Sequence, residues 1–189
     1  LLCTEPNSLM AKGNPFPRSC QVIEITKEDD FTSEAGAQKV RLALRCPNVV
    51  VFASLPCTGG SSWQTANRRH PACRRLLRKH KLLFDRLFSR LVEIADDAFD
   101  NGGLPIIFEW PRHCFGWVQK PVADFIHSFQ LQEALCDGCA FGMEHDGEPL
   151  LKPWRIVTDH PLLAHNLSRH RCTHPRGFKH RNIQGNITA

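Results

Sequence analysis

The sequence predicts an α/β domain: a mostly parallel sheet with helices on both faces. Three observations predict it. Apolar runs of strand type alternate with amphipathic segments of helix type along the chain. Two of the runs, "NVVVFAS" (48–54) and "LPIIFEW" (104–110), are continuous rather than alternating, as in strands buried on both faces. Between them lies a long segment of helical period, enough chain for a crossover connection between parallel strands.

The elements follow in order. The opening "LLCTEPNSLMAKG" has no initiator Met and reads like the end of a strand, so a fragment of a longer chain is expected. "QVIEI" (21–25) is a short strand. "TSEAGAQKVRLAL" (32–44) is a helix, capped by Thr32 or Ser33, with apolar positions at Ala37, Val40, Leu42 and Leu44. After the 48–54 strand comes a helix over 71–100 with Pro71 in its first turn. Leu76, Leu77, Leu83, Phe84, Leu87, Phe88, Leu91, Ile94 and Ala95 form its apolar stripe, and Asn101-Gly102-Gly103 ends it. The 104–110 strand is followed by a helix within "QKPVADFIHSFQLQ", a strand and turn in "EALCDGCAFGM", and a last strand in "PWRIVTDH".

With 189 residues, 42% of them hydrophobic, the chain is long and apolar enough for one folded domain, expected over 1–165 with a basic, His-rich tail at 166–189. No apolar stretch approaches the roughly 20 residues of a membrane span, so no membrane partner is expected. Nine scattered cysteines without a signal peptide indicate a reducing, intracellular compartment, nucleus or cytoplasm. The net charge of +5 is concentrated: Arg68, Arg69, Arg74, Arg75, Arg78, Lys79 and Lys81 come with no acid among them. Such a field suits a polyanion, although a solvated helix face has the same composition.

In open α/β sheets, ligands gather beyond the carboxyl ends of the strands. That rim carries three marks. Cys57 stands at the tip of one apolar run, after Pro56 and before a turn rich in Gly and Ser. Nearby N–H groups and cations there would lower its pKa. An arbitrary cysteine is more often a packed apolar residue. Glu109 ends the next run, where burial would raise its pKa unless Arg112 pairs with it. Arg155 stands at the start of the last strand, able to fork onto a carboxylate, phosphate or base edge, or to form an ordinary salt bridge.

Together and in this order, "SLPCTGGSSWQ", "IIFEWP" and "CAFGM…KPWRIVT" resemble the Pro-Cys, Glu-Asn-Val and Gln-x-Arg-x-Arg segments of the DNA (cytosine-5) methyltransferases. More closely, the chain resembles methyltransferase-like segments in polyproteins of protist mobile elements. The resemblance covers about residues 1–165. It implies a Rossmann-like, S-adenosylmethionine-dependent methyltransferase-type fold, here truncated, with DNA as partner and RNA as an alternative. It also implies roles. Cys57 adds to carbon-6 of a flipped cytosine, protonated Glu109 holds the ring nitrogen, and Arg155 holds the base or its phosphate. Pro56 and Pro6-Asn7-Ser8 border the cofactor, with Glu24 on its ribose. Ser61, Ser62, Gln64, Arg68, Arg69, Arg74, Arg75 and Lys152 meet the nucleic acid.

The chain departs from the family in three places. Trp110-Pro111 replaces Asn-Val, the glycine-rich turn after the first strand is missing, and only a short tail follows "KPWRIVT". A non-catalytic nucleic-acid-binding module of a mobile-element polyprotein, working beside other segments of it, is therefore the alternative. The tail holds a further possibility: Cys172, His174 and His180, with Cys136-x-x-Cys139 upstream, have spacings compatible with zinc, although His-rich basic tails are usually solvated.

Overall fold

A computed structural model describes residues 1–3, 21–57, 70–100, 102 and 105–181. Four strands form one sheet: β1 (Val51–Ala53), β2 (Ile106–Pro111), β3 (Gln132–Asp137) and β6 (Pro153–Thr158). A two-stranded hairpin, β4 (Glu144–His145) with β5 (Glu148–Pro149), lies between β3 and β6 in sequence. The helices are α1 (Glu34–Leu44), α2 (Pro71–Asp100), α3 (Lys120–Ser128) and α4 (Pro161–Ser168).

The sheet order is β1-β2-β6-β3. β1 and β2 pair in parallel, while β6 is antiparallel to both β2 and β3. This corrects the expected mostly parallel pairing: the fold is mixed α/β with one parallel and two antiparallel ladders. Only β6 is reversed; β1, β2 and β3 share a direction. The physical reason lies in the connections. The long helix α2 carries the chain back between β1 and β2, as parallel pairing requires. The chain between β3 and β6 holds only a short 3-10 turn and the β4–β5 hairpin, so β6 returns antiparallel. At the β1 edge, Leu2 bridges both Ala53 and Ile25 in the parallel sense. The expected 21–25 strand is thus a single bridge at Ile25.

Helix predictions hold more closely. Ser33 is the cap of α1, its hydroxyl accepting from Gly36 N–H at 3.0 Å, and Gly36 is required there because a Cβ would meet the Asp30 carbonyl oxygen at 2.4 Å. Pro71 opens α2, and Gly102 follows it in the left-handed region, φ 106°. The stripe on α2 buries Leu87, Phe88, Leu91, Ile94 and Ala95, but Leu76 and Leu83 near its start remain 53% and 43% exposed.

Alternation along the strands separates two cores. Ile106, Phe108 and Trp110 of β2 and Val157 of β6 pack with α2 and α3 in the larger one. Its centre is a set of tilted and edge-on rings: Phe84, Phe88, Phe108, Trp110, Trp117 and Phe125. Ile156, Ala134 and Cys136 turn to the opposite face and pack with Ala164 of α4. Among the described residues no helix is long and apolar enough to cross a membrane.

Candidate active site at the strand tips

The parallel register of β1 and β2 ends at Ala53 opposite Phe108. One residue further, the Ser54 hydroxyl donates to Glu109 Oε1 across 55 positions of chain. Two residues further, Trp110 Nε1 donates to the Leu55 carbonyl at 2.7 Å in a buried bond. These two bonds lash the tips together and leave Pro56 and Cys57 beyond them. Reversed β6 then places its start at the same rim, with Trp154 opposite Pro111 and Arg155 opposite Trp110.

Cys57 is half-buried and lines a cavity of about 450 Å³. Its other walls include Trp110, Cys114, Phe84 and Phe115, with Arg78 and Lys81 of α2 at its polar side. Glu109 does not line this cavity. It shares the alternation of Ile107, while Trp110 turns to the α2 face. Thiol and acid are nonetheless electrostatically coupled. Burial pushes the Cys57 thiol up and the Glu109 charge adds to this, outweighing its backbone N–H bond and Lys152, which act the other way. The expected lowering of this pKa is therefore reversed. Burial also raises the Glu109 carboxyl, against the Ser54 bond and Lys152. Glu109 Oε2 is buried without a hydrogen-bond partner among the described residues. Two negative charges side by side are disfavoured here, and both shifts favour the protonated forms.

Among the described residues, Lys152 rather than Arg155 is the cation acting on both groups. Arg155 is ion-paired with Glu133, and its guanidinium lies 4.6 Å over the Trp117 ring. Lys152 has a left-handed backbone, φ 29°, and its ammonium sits 4.9 Å over Trp154. Arg112 pairs not with Glu109 but with Asp137, at 2.7 Å.

Pro56 is a wall shared by two cavities. On its other side a space of about 230 Å³ lies among Cys3, Thr26, Asp30, Phe31 and Leu87, at the carboxyl ends of the Leu2 and Ile25 bridges. Glu24 does not line it; its carbonyl accepts from Lys39 Nζ at 3.2 Å. Pro6, Asn7, Ser8, Ser61, Ser62, Gln64, Arg68 and Arg69 lie outside the described residues. Arg74 and Arg75 are exposed near the start of α2, whose first turn contains no acidic residue.

The tail candidates do converge. Cys172, His174 and His180 form one cluster, joined by Cys139 from the turn after β3. Cys136, the other half of the Cys-x-x-Cys, is buried in the α4 core instead. Helix α4 runs through the 165/166 boundary, and the chain beyond it packs on the β3 edge, Asp137 N–H donating to the His170 carbonyl at 2.9 Å.

Sequence reasoning missed Ser54, Trp110, Cys114 and Gly116. Trp110 stood only as a departure from a motif, yet it is the tie between the tips. Gly116 makes room for it: a Cβ there would lie 2.3 Å from Trp110 Cζ3. No family model matches the chain, and neither the curated proteins nor the solved structures include a significant match.

Proposed function

We propose that this chain is a DNA (cytosine-5) methyltransferase-like domain that captures a flipped cytosine on Cys57. The observation that carries the reading is Cys57 at the wall of an aromatic-lined cavity of about 450 Å³, with Glu109 and Lys152 in electrostatic range. That size is within the usual span of ligand pockets. Phe84 and Phe115 offer ring faces on which an extruded base stacks, and Arg78 and Lys81 suit its phosphates. The fold reading goes with it. Three of four strands share a direction, Leu2 and Ile25 extend the parallel side, and the functional marks lie at the carboxyl ends. We read this as a Rossmann-like sheet with an inserted reversed strand.

The chemistry assigned to the chain's own residues is base activation. Cys57 Sγ, as thiolate, forms a bond to carbon-6 of cytosine. Glu109 donates its proton toward the ring nitrogen, so the displaced electron pair is neutralised and carbon-5 becomes nucleophilic. Carbon-5 takes up a proton from water. Loss of the original carbon-5 proton to the hydroxide left from that water then expels the thiolate, and the ring nitrogen returns its proton to Glu109, restoring cytosine and enzyme. Lys152 favours the ionised sulfur. S-adenosylmethionine, when bound, supplies a methyl group to the same carbon. The described residues do not complete a site for it. The 230 Å³ cavity beside Pro56 has an acid, Asp30, and a hydroxyl residue, Thr26, but no glycine cradle for close approach.

The second reading, a nucleic-acid-binding module without catalysis, is favoured by the upward shift of the Cys57 thiol. One experiment separates the two. Single-stranded oligonucleotide tritiated at cytosine carbon-5 is incubated with the protein, and tritium release to water is measured. Base activation releases tritium without any methyl donor. Release is lost in Cys57→Ser and slowed about a hundredfold in Glu109→Gln. Salt-dependent binding with no release by the parent would leave the second reading standing, and absence of binding would remove both. Adding S-adenosylmethionine and a 5-fluorocytosine trap then tests methyl transfer itself.

A further inference from the structure

The tail cluster has the geometry of a metal centre. Cys172 Sγ lies 3.4 Å from His174 Nδ1 and 3.3 Å from His180 Nε2, and the two nitrogens are 3.3 Å apart. Cys139 Sγ completes the set, all four ligand atoms lying within 4.8 Å of one another. With zinc bonds of about 2.3 Å to sulfur and 2.0–2.1 Å to nitrogen, the edges of a tetrahedron come to roughly 3.3–3.8 Å. The three edges among Cys172, His174 and His180 fall at the short end of that range. Hydrogen bonding alone gives little reason for two thiols and two imidazoles to converge, since thiols are weak donors and weak acceptors.

We propose that Cys139, Cys172, His174 and His180 bind one zinc ion in a closed, structural Cys2His2 site. Four protein ligands leave no open position for substrate, so the role is to hold chain segments together. Cys139 comes from the 3-10 turn after β3, and the other three come from the segment after α4. The ion therefore pins that segment along β3, an edge strand whose free backbone groups need cover.

The surroundings support the ligands as an outer shell does. Asp137, 4% exposed, accepts from the Cys172 backbone N–H at 2.9 Å and pairs with Arg171 at 3.1 Å and Arg112 at 2.7 Å. His174 stacks on Phe178, ring centroids 4.1 Å apart, which orients the imidazole. Beyond the cluster, Arg181 N–H donates to the Pro149 carbonyl at 3.0 Å, carrying the segment on to the β4–β5 hairpin. Through Asp137 and Arg112 the site also steadies the chain just after Pro111, next to the rim. The proposal is independent of the nucleic-acid reading.

The test uses the whole chain purified under reducing conditions without chelator. Elemental analysis is expected to give about one equivalent of zinc per chain. Exchange into cobalt is expected to give intense visible d–d bands and a near-ultraviolet thiolate charge-transfer band. Cys172→Ser and His180→Ala are expected to retain less than about a tenth of an equivalent, while Cys46→Ser, an exposed cysteine outside the cluster, retains the full amount. If the cluster variants do not fold, the cobalt spectrum of the parent decides the matter alone. Zinc below about a tenth of an equivalent, with no charge-transfer band after reconstitution, overturns the proposal. So does a mass loss showing a Cys139–Cys172 disulfide in the reduced preparation.

Discussion

Replacing Trp110 by Phe tests whether the strand tips are tied as described. Trp110 is 2% exposed, and its indole N–H donates to the Leu55 carbonyl, immediately before Pro56 and Cys57. Phe removes the donor and leaves a buried carbonyl unpaired, at about 1–3 kcal/mol. It also vacates roughly 40 Å³, worth about 1 kcal/mol at the usual cavity coefficient. Contacts to Phe108, Trp117 and Phe84, with centroids at 4.6, 5.2 and 5.4 Å, are partly retained. The sum is about 2–4 kcal/mol of lost stability, measured by urea unfolding. Gly116→Ala, which forces the indole to move, is expected to lose about 1–3 kcal/mol for the opposite reason, overpacking. Both variants should also accelerate iodoacetamide modification of Cys57, read by peptide mass spectrometry, because the tip loses its anchor. A Trp110→Phe protein within about 0.5 kcal/mol of the parent, with unchanged Cys57 reactivity, would refute the reasoning.

Two further outcomes follow from the charges. Glu109 raises the Cys57 pKa and Lys152 lowers it, so Glu109→Gln should shift the pH profile of Cys57 alkylation down and Lys152→Met should shift it up; identical profiles would show that the three groups do not interact. Asp137→Asn should destabilise by about 3 kcal/mol at neutral pH, because Arg112 and Arg171 lose a buried partner. Burial opposes ionisation of Asp137, but the Cys172 N–H, Arg171 and Arg112 hold its carboxyl below the ordinary 3.8. Its contribution is thus complete above that value and disappears as pH falls through the lower, folded one. The gap between variant and parent should therefore be constant from pH 5 upward and close only in stronger acid, as followed by denaturation at fixed pH values.

Much of the fold was legible where local physics is decisive. The period of 71–100, with Pro71 at its first position and Gly102 after its end, specified a helix through spacing and backbone preference alone. The runs at 48–54 and 104–110 specified buried strands, and α2 between them specified that they pair in parallel. Other features depended on partners distant in sequence. Strand direction at β6 follows from what spans β3 to β6, and a short turn with a hairpin has no periodic signal. The length of the first strands was overread because β-propensity counts residues that fit a sheet, not neighbours present to pair with them.

The rim divides in the same way. Cys57 and Glu109 could be singled out in the sequence, since each stands at the end of an apolar run, and Lys152 was named only as a nucleic-acid contact. Their balance could not, because burial and mutual charge set it: Cys57 is pushed up, not down, and Lys152 acts on both groups while Arg155 pairs with Glu133. Likewise Cys172, His174 and His180 were visible as spacing, while the fourth member, Cys139 rather than Cys136, was chosen by which side of the β3 turn faces the tail. Sequence by itself determined the residue types, the first three helices and the buried runs, because these follow from local chain geometry and hydrophobic period; α4 was not among its expectations. Tertiary structure alone decided the reversed strand, the Trp110 tie and the Cys2His2 cluster, because each depends on contacts between residues whose separation in the chain carries no signal of their meeting.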